Sequence, residues 1–276
     1  MQKTNIPWTE WTWNVNAGCT KVSAGCQNCY ACELHTLRHK AFMAGKKLPV
    51  QYAKPFSEVQ CFEGRLDEPI HHRKPRMIFV DSMSDLFHPA VSFDFIDKVM
   101  AVIALCPQHT FQLLTKRAER RRKYYDDRTA DTGGGNVSVV EKYLSKIHLS
   151  GHPVVFPEVN LWQGVTCCNQ PEADKNIPHL LQTPAAVRFL SLEPLLERIV
   201  IHNWTGIDWV IIGAESGPKR RPCKLEHVYS IAQQCQDAGV LLFVKQLDID
   251  GKLVRDIEKF PKDLQIRQMP GKEVKV

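Results

Sequence analysis

Six short β-rich apolar runs, most of them followed by a segment of helical length, constrain this 276-residue chain more than any other feature. The predicted strands are Met77–Asp81, Thr110–Thr115, Leu161–Thr166, Val187–Leu192, Trp209–Gly213 and Val240–Lys245. The predicted helices between them are Phe93–Leu105, Arg117–Tyr125, Pro171–Leu181 and Leu225–Ala238. Such alternation is typical of a parallel sheet whose strands are joined by helical crossovers.

A closed barrel and an open doubly wound sheet both satisfy this alternation. No glycine-rich phosphate fingerprint follows the first strand, which argues against a nucleotide-binding doubly wound sheet. Polar residues gather at the carboxyl ends of the predicted strands, where barrels carry their active sites. The sequence therefore predicts an α/β fold, a partial or complete (β/α) TIM-like barrel with its site on that face.

We predict one barrel domain over residues 1–250, an insertion at about 126–157 and a C-terminal extension over 251–276. The insertion interrupts the strand–helix rhythm and contains three consecutive glycines from Gly133 to Gly135. Long irregular segments in compact domains are uncommon and are usually functional. Whether the insertion closes over the site stays open at this point.

Composition and charge limit the cellular setting. No apolar run reaches the roughly 20 residues of a membrane helix, and the N-terminus lacks a signal-peptide core, so we expect a cytoplasmic protein without membrane contact. The net charge is +6, and residues 116–128 hold seven basic side chains against three acidic ones. Such a patch can attract phosphate backbones or can simply be a solvated helix face.

Four of the ten cysteines lie between positions 19 and 32. In a reducing compartment, clustered thiols indicate a metal centre and not a disulfide framework. Cys19, Cys26 and Cys29 are separated by six and two residues, and Gly18 and Gly25 allow the backbone to bend close to an inorganic core. A cubane cluster held by three cysteines keeps one iron free of protein ligands, so a small cosubstrate can bind there.

The cysteine loop at 13–30 does not stand alone. Together with residues 78–87, 188–196, 209–217 and 243–246, it resembles a phage-associated family of radical S-adenosylmethionine (SAM) proteins with a Cys-x6-Cys-x2-Cys motif. Familiar radical SAM enzymes have three residues between the first two cysteines and an aromatic residue before the third. Here Asn28 occupies that place and Tyr30 follows Cys29.

The resemblance implies a barrel of the radical SAM type with a [4Fe-4S] cluster and SAM as its cofactors. It implies reductive cleavage of SAM to methionine and a 5'-deoxyadenosyl radical, which abstracts hydrogen from a substrate. A reductant such as flavodoxin or ferredoxin would supply the electron. The favoured substrate class is a nucleic acid, a nucleotide or a modified base that undergoes isomerisation or rearrangement, and the sequence assigns no oligomeric state.

The resemblance also implies three sets of site residues. The cluster ligands are Cys19, Cys26 and Cys29. The cofactor-binding residues are Tyr30, Ser82, Ser84, Asp85, Thr166, Ser191 and Glu193. The catalytic candidates are Glu215 and Lys245. A simpler interpretation of the glutamates is that they cap helices or pair with Arg188 and Arg220.

Cys32 continues the spacing of two residues after Cys29, so Cys26, Cys29 and Cys32 also resemble a ferredoxin run. Two alternatives therefore stay open. One is a zinc- or cluster-stabilised nucleic-acid-binding protein without catalysis. The other is an electron-transfer protein with a cluster held by four cysteines.

Overall fold

The computed structural model of the chain describes residues 1–130 and 159–271, without the side chains of 128–130. Its strands are β1 (Gln2–Lys3), β2 (Trp11–Trp13), β3 (Asn16–Ala17), β4 (Gln60–Cys61), β5 (Met77–Val80), β6 (Thr110–Thr115), β7 (Leu161–Thr166), β8 (Val187–Leu192), β9 (Trp209–Gly213), β10 (Leu241–Ile249) and β11 (Lys252–Val254). Its α-helices are α1 (Tyr30–Met43), α2 (Phe93–Ala104), α3 (Ala118–Ala130), α4 (Gln170–Leu181) and α5 (Leu225–Ala238). The fold is mixed α/β.

A nine-stranded sheet organises the fold, in the order β1-β2-β5-β6-β7-β8-β9-β10-β11. The seven strands from β2 to β10 pair in parallel, whereas β1 and β11 pair antiparallel at the two ends. The parallel strands follow chain order without the reversal that defines a doubly wound sheet. β3 and β4 form a separate antiparallel pair.

The two faces of the sheet pack differently, because successive strand side chains point to opposite faces. One face, here called the helix face, packs side chains such as Leu113 and Val210 against α2 to α5. The opposite face, the inner face, carries an aromatic cluster that includes Phe79, Phe189 and Trp209 and is covered by Trp8 and Met269 from outside the sheet. Helices α2 to α5 thus lie on one face of a mostly parallel sheet.

The predicted elements correspond closely to the observed ones, and a further helix, α1, begins at Tyr30, directly after the last motif cysteine. The last parallel strand is longer than predicted and runs to Ile249, where it pairs with β11. Phe260 and Leu264, from the predicted C-terminal extension, pack into the core on the helix face.

The predicted insertion lies mostly outside the described residues, although α3 continues to Ala130. In the part of the chain that the structure describes, no helix has the length and apolar character needed to cross a membrane.

Candidate functional site

A cavity of about 450 Å³ lies at the carboxyl ends of the parallel strands, between the cysteine loop and the N-terminal segment around Trp8. All twelve residues predicted for the site line it: Cys19, Cys26, Cys29, Tyr30, Ser82, Ser84, Asp85, Thr166, Ser191, Glu193, Glu215 and Lys245. A larger and more open groove of about 900 Å³ lies between α5 and residues 198–204 and holds none of them. The strand-end cavity is therefore the candidate site.

The start of the cysteine loop is fixed against the strand ends by its backbone. Gly18 has a φ of 93°, and a Cβ there would lie 2.7 Å from the Glu58 carbonyl oxygen, so only glycine fits. Ser84 Oγ donates to the Gly18 carbonyl oxygen at 2.7 Å. The Cys19 amide donates to the Phe56 carbonyl oxygen at 2.8 Å. Cys19 therefore has a defined position on the cavity wall.

The middle of the loop packs against the turn between β7 and α4. A Cβ on Gly25 would lie 2.3 Å from Cys168 Sγ, so a side chain at this position would collide with the buried thiol. Glu172, in the first turn of α4, accepts the Ala24 amide with Oε1 and the Cys168 amide with Oε2, both at 2.9 Å. One carboxylate thus ties the cysteine loop to the adjacent strand end.

Glu215 holds the end of the same loop. Its carboxylate accepts Arg221 Nη2 at 2.5 Å, Arg221 Nε at 3.0 Å and Asn28 Nδ2 at 3.0 Å. Arg221 also donates to the Gln27 side chain at 3.2 Å. Burial raises the pKa of Glu215, but the hydrogen bonds from Arg221 and Asn28 outweigh it and leave the pKa below its ordinary value. The carboxylate is therefore a weak base already engaged in holding the loop, and its catalytic role stays a prediction.

The first two thiols of the motif have different surroundings. Burial and the charge of Asp85 raise the pKa of Cys19 against the opposing effect of Arg117. Burial also acts to raise the pKa of Cys26, but the Lys116 ammonium and hydrogen bonds from Val22 and Ser23 outweigh it and lower this pKa. The Cys26 thiolate, the form of cysteine that binds metals, is therefore easier to form than that of Cys19.

Asp85 connects the cysteine loop to the end of β6. Its carboxylate accepts the Thr115 hydroxyl at 2.8 Å, the Lys116 amide at 3.2 Å and Arg117 Nη1 at 2.9 Å. The Asp85 and Arg117 side chains are only 7% and 8% exposed. The predicted cofactor-binding residue Asp85 is thus engaged in a buried ion pair that supports the cavity wall.

The two predicted serines after β5 are also hydrogen-bonded within the protein. Ser84 contacts Gly18, as described above, and Ser82 Oγ donates to Asn14 Oδ1 at 3.1 Å. The Ser82 carbonyl oxygen accepts the Tyr30 hydroxyl at 2.6 Å. The Tyr30 side chain is 49% exposed and lines the cavity, so its ring is available to a ligand.

Thr166 and Ser191 lie on the inner face at the ends of β7 and β8, and both are at least 96% buried. No hydrogen bond is made by either hydroxyl to another described residue, so both are available to a ligand in the cavity. Lys245 Nζ donates to Glu193 Oε1 at 2.5 Å, and the two side chains are 20% and 18% exposed. These are the polar groups that the cavity offers beyond the cysteine loop.

The simpler interpretation of the glutamates was wrong about their partners. Glu193 pairs with Lys245 and Glu215 with Arg221. Arg188 instead donates to the Thr183 carbonyl oxygen at 3.1 Å, and Arg220 to the Gly251 carbonyl oxygen.

Asp81 is a cavity residue that the predicted site omits. It directly follows β5, has a φ of 60° and is 4% exposed. The Asn16 amide nitrogen of the backbone donates to its carboxyl oxygen at 3.2 Å, and burial raises the pKa of Asp81 well above its ordinary value. A strained backbone and a buried carboxyl group together are typical of functional sites.

Lys116, Arg117, Asn28 and Arg221 are further site residues that the predicted set omits. A signal existed for the first two, because they directly follow the predicted strand Thr110–Thr115. Asn28 carried a weaker signal as a residue between two cysteines. Arg221 had none, since its position in a basic run resembles a solvated surface.

The donor set at the cysteine loop fits an iron–sulfur cluster. Three thiols line one cavity with Lys116 and Arg117 beside them, and positive charge favours thiolate ligands. In a cubane each cysteine binds a different iron atom, so the ligands share a cavity wall and do not meet at one point. In the described part of the chain, no group of three or more His, Cys, Asp and Glu side chains is placed to hold a metal ion. Cys32 is not among the cavity-lining residues.

Comparison with known proteins identifies a family. A model described as "Protein of unknown function (DUF5131)" matches residues 3–275, nearly the whole chain. The chain belongs to the DUF5131 family. No curated protein and no solved structure matches it. The DUF5131 description assigns no activity, so the activity implied by the cysteine motif stays a prediction.

Proposed function

We propose that this chain is a radical SAM enzyme that cleaves SAM reductively and uses the resulting 5'-deoxyadenosyl radical to abstract hydrogen from a substrate. The proposal rests on one observation: Cys19, Cys26 and Cys29 line the same cavity as the strand-end polar residues. When bound, a [4Fe-4S] cluster would supply the electron and the open iron that this chemistry requires.

The topology supports a partial (β/α) barrel of the radical SAM type. Seven parallel strands follow chain order, and helices α2 to α5 pack on one face of the sheet. The opposite face and the carboxyl strand ends then enclose the cavity, as in barrel enzymes. This arrangement places the cysteine loop, which follows β2, beside the ends of β5 and β6.

Within this proposal the chain positions its cofactors. Cys19, Cys26 and Cys29 would hold the cluster, and the contacts of Gly18, Glu172 and Glu215 keep their loop against the strand ends. The hydroxyls of Thr166 and Ser191 would donate to the polar groups of SAM. The exposed Tyr30 ring is suited to stacking on an adenine or on a substrate base.

Anaerobic reconstitution with iron and sulfide tests the proposal. The expected product is a brown protein with about four iron atoms per chain, a reducible cluster and formation of 5'-deoxyadenosine from SAM under dithionite. Colourless protein with one tightly bound zinc would favour the nucleic-acid-binding alternative and overturn the proposal. A reducible cluster without SAM cleavage would favour the electron-transfer alternative.

Cys32→Ala is the matched control for the three motif cysteines. Cys19→Ala, Cys26→Ala and Cys29→Ala should each lower the iron content and abolish 5'-deoxyadenosine formation. Cys32→Ala should keep both, because this thiol lies outside the cavity lining. Loss of the cluster in Cys32→Ala would instead indicate a centre held by four cysteines.

We propose a nucleic acid or nucleotide as the substrate class and a flavodoxin or ferredoxin as the electron donor. The exposed Lys21 lies within the cysteine loop, where its Nζ donates to the Gln27 carbonyl oxygen at 3.1 Å. The exposed Lys219 lies beside the loop, and its carbonyl oxygen accepts Asn28 Nδ2 at 2.8 Å. Fluorescence anisotropy with labelled oligonucleotides should show binding that weakens as salt rises. Absence of oligonucleotide binding at low salt would contradict a nucleic-acid polymer as the substrate.

A further inference from the structure

Lys116 lies where a positive charge would act directly on a cluster. It is the first residue after β6 and lines the cavity together with Cys26 and Cys29. Its Cε atom lies 3.5 Å from the position that a Cβ on Gly25 would occupy, next to Cys26 in the chain. The lysine side chain therefore packs against the segment that carries the second cysteine.

Three other cations of the site are already paired with carboxylates. Arg117 pairs with Asp85, Arg221 with Glu215 and Lys245 with Glu193. The Lys116 ammonium has no ion-pair or hydrogen-bond partner among residues 1–130 and 159–271. Its strongest electrostatic neighbours are the thiols of Cys168, Cys26 and Cys29, in that order, followed by Asp85.

An unpaired cation beside thiolate ligands has a direct electrostatic consequence. A cluster that takes up one electron gains one negative charge, and a nearby cation stabilises the more negative state more strongly. Charge and hydrogen bonds near the sulfurs are among the factors that set cluster potentials. A cation without an ion-pair partner keeps more of this effect than a cation that is paired with a carboxylate.

From this placement we infer that the charge of Lys116 raises the reduction potential of the cluster and so favours its reduction by one electron. This inference rests on the proposed function, because it needs the cluster held by Cys19, Cys26 and Cys29. The electron comes from an external reductant, and the cluster alone is reduced. No proton transfer to or from Lys116 is involved.

Anaerobic redox titration of the reconstituted full chain without SAM tests the inference, with the EPR signal of the reduced cluster as the readout. Lys116→Met removes the charge, whereas Lys116→Arg keeps it. Lys175→Met, at an exposed position of α4, controls for net charge. At a fixed solution potential, Lys116→Met should hold at least a tenfold smaller ratio of reduced to oxidised cluster, a lowering of about 59 mV for a one-electron couple.

Lys116→Arg and Lys175→Met should titrate like the parent protein. An unchanged potential in Lys116→Met, or an equal shift in Lys175→Met, would overturn the inference while leaving the proposed function intact. If Lys116→Met loses iron, Lys116→Gln takes its place. Loss of iron in both, with retention in Lys116→Arg, would assign Lys116 to cluster assembly and overturn the redox role. Absence of a cluster in the parent protein would instead overturn the proposed function.

Discussion

Arg117 Nη1 donates to Cys19 Sγ at 3.4 Å and, from the same nitrogen, to the Asp85 carboxylate at 2.9 Å. Arg117 Nη2 also donates to the Thr20 carbonyl oxygen at 2.9 Å. One guanidinium group therefore joins the first motif cysteine to the end of β6 and to the loop after β5. The position of Cys19 depends on an ion pair that is far from it in sequence.

Arg117→Met should strongly destabilise the protein, because it leaves the buried Asp85 carboxylate without its charged partner. Loss of one member of a buried pair costs about 3–5 kcal/mol, whereas Lys175→Met, which breaks an exposed pair with Glu119 at 3.8 Å, should change stability by less than about 0.5 kcal/mol. Urea unfolding of both variants measures the difference. If Arg117→Met lowers the free energy of unfolding no more than Lys175→Met does, the Arg117–Asp85 pair contributes little to stability.

Glu215→Gln should reveal a pH-dependent contribution to stability. Because the pKa of Glu215 is lower in the folded state than its ordinary value of 4.5, ionised Glu215 stabilises the fold above that value. The contribution is lost as the pH falls through the lowered folded value. At neutral pH the variant should lose about 1–3 kcal/mol from weakened hydrogen bonds to Arg221 and Asn28.

Urea unfolding of both proteins at a series of pH values measures this contribution. The gap in unfolding free energy between parent and Glu215→Gln should be constant well above pH 4.5 and should narrow on acidification below it. A gap that widens as the pH falls would contradict the expected direction.

Much of the fold could be predicted because its signals are local. Apolar runs and helix-length segments mark the parallel strands and crossovers, and the rule that barrel sites gather at carboxyl strand ends placed Thr166, Ser191 and Lys245 in one cavity. The β3–β4 pair lacked such a signal, because each strand is two residues long.

The hydrogen-bond partners of the site could not be predicted in the same way. Asn28 and Glu215 are 187 positions apart, and Arg220 and Arg221 are both close enough in sequence to pair with the glutamate. The choice of Arg221 depends on the path of the loop after β9, which contains Gly217 at a φ of 104°. Tertiary placement of long side chains decides such pairs, and residue type alone does not.

Gly25→Ala should destabilise the cysteine loop by overpacking. The new Cβ would lie 2.3 Å from Cys168 Sγ, and inserting a methyl group into a packed site typically costs about 1–3 kcal/mol. Gly64→Ala is the matched control, because nothing lies within 4 Å of a Cβ at that position. Thermal or urea unfolding measures both variants.

Cys168→Ala should rescue Gly25→Ala, since it removes the sulfur atom that the new methyl group meets. The double variant should then be more stable than the sum of the two single losses predicts, by about 0.5–3 kcal/mol. If the losses in unfolding free energy of the two single variants simply add, the destabilisation by Gly25→Ala does not come from its contact with Cys168.

If the proposed function holds, the Lys245–Glu193 pair should act as one unit in SAM cleavage. Both side chains line the cavity, their charged atoms are 2.5 Å apart, and Glu193 lies over Gly213, where a Cβ would be 2.9 Å from its Cδ. Lys245→Met and Glu193→Gln should each slow 5'-deoxyadenosine formation about tenfold, while the double variant should be no slower than the slower single variant, because groups that act together are not additive. Iron content should stay unchanged throughout, and Lys252→Met, an exposed lysine on β11, should keep the parent rate. If the rate reductions of the two single variants multiply in the double variant, Lys245 and Glu193 contribute separately to the reaction.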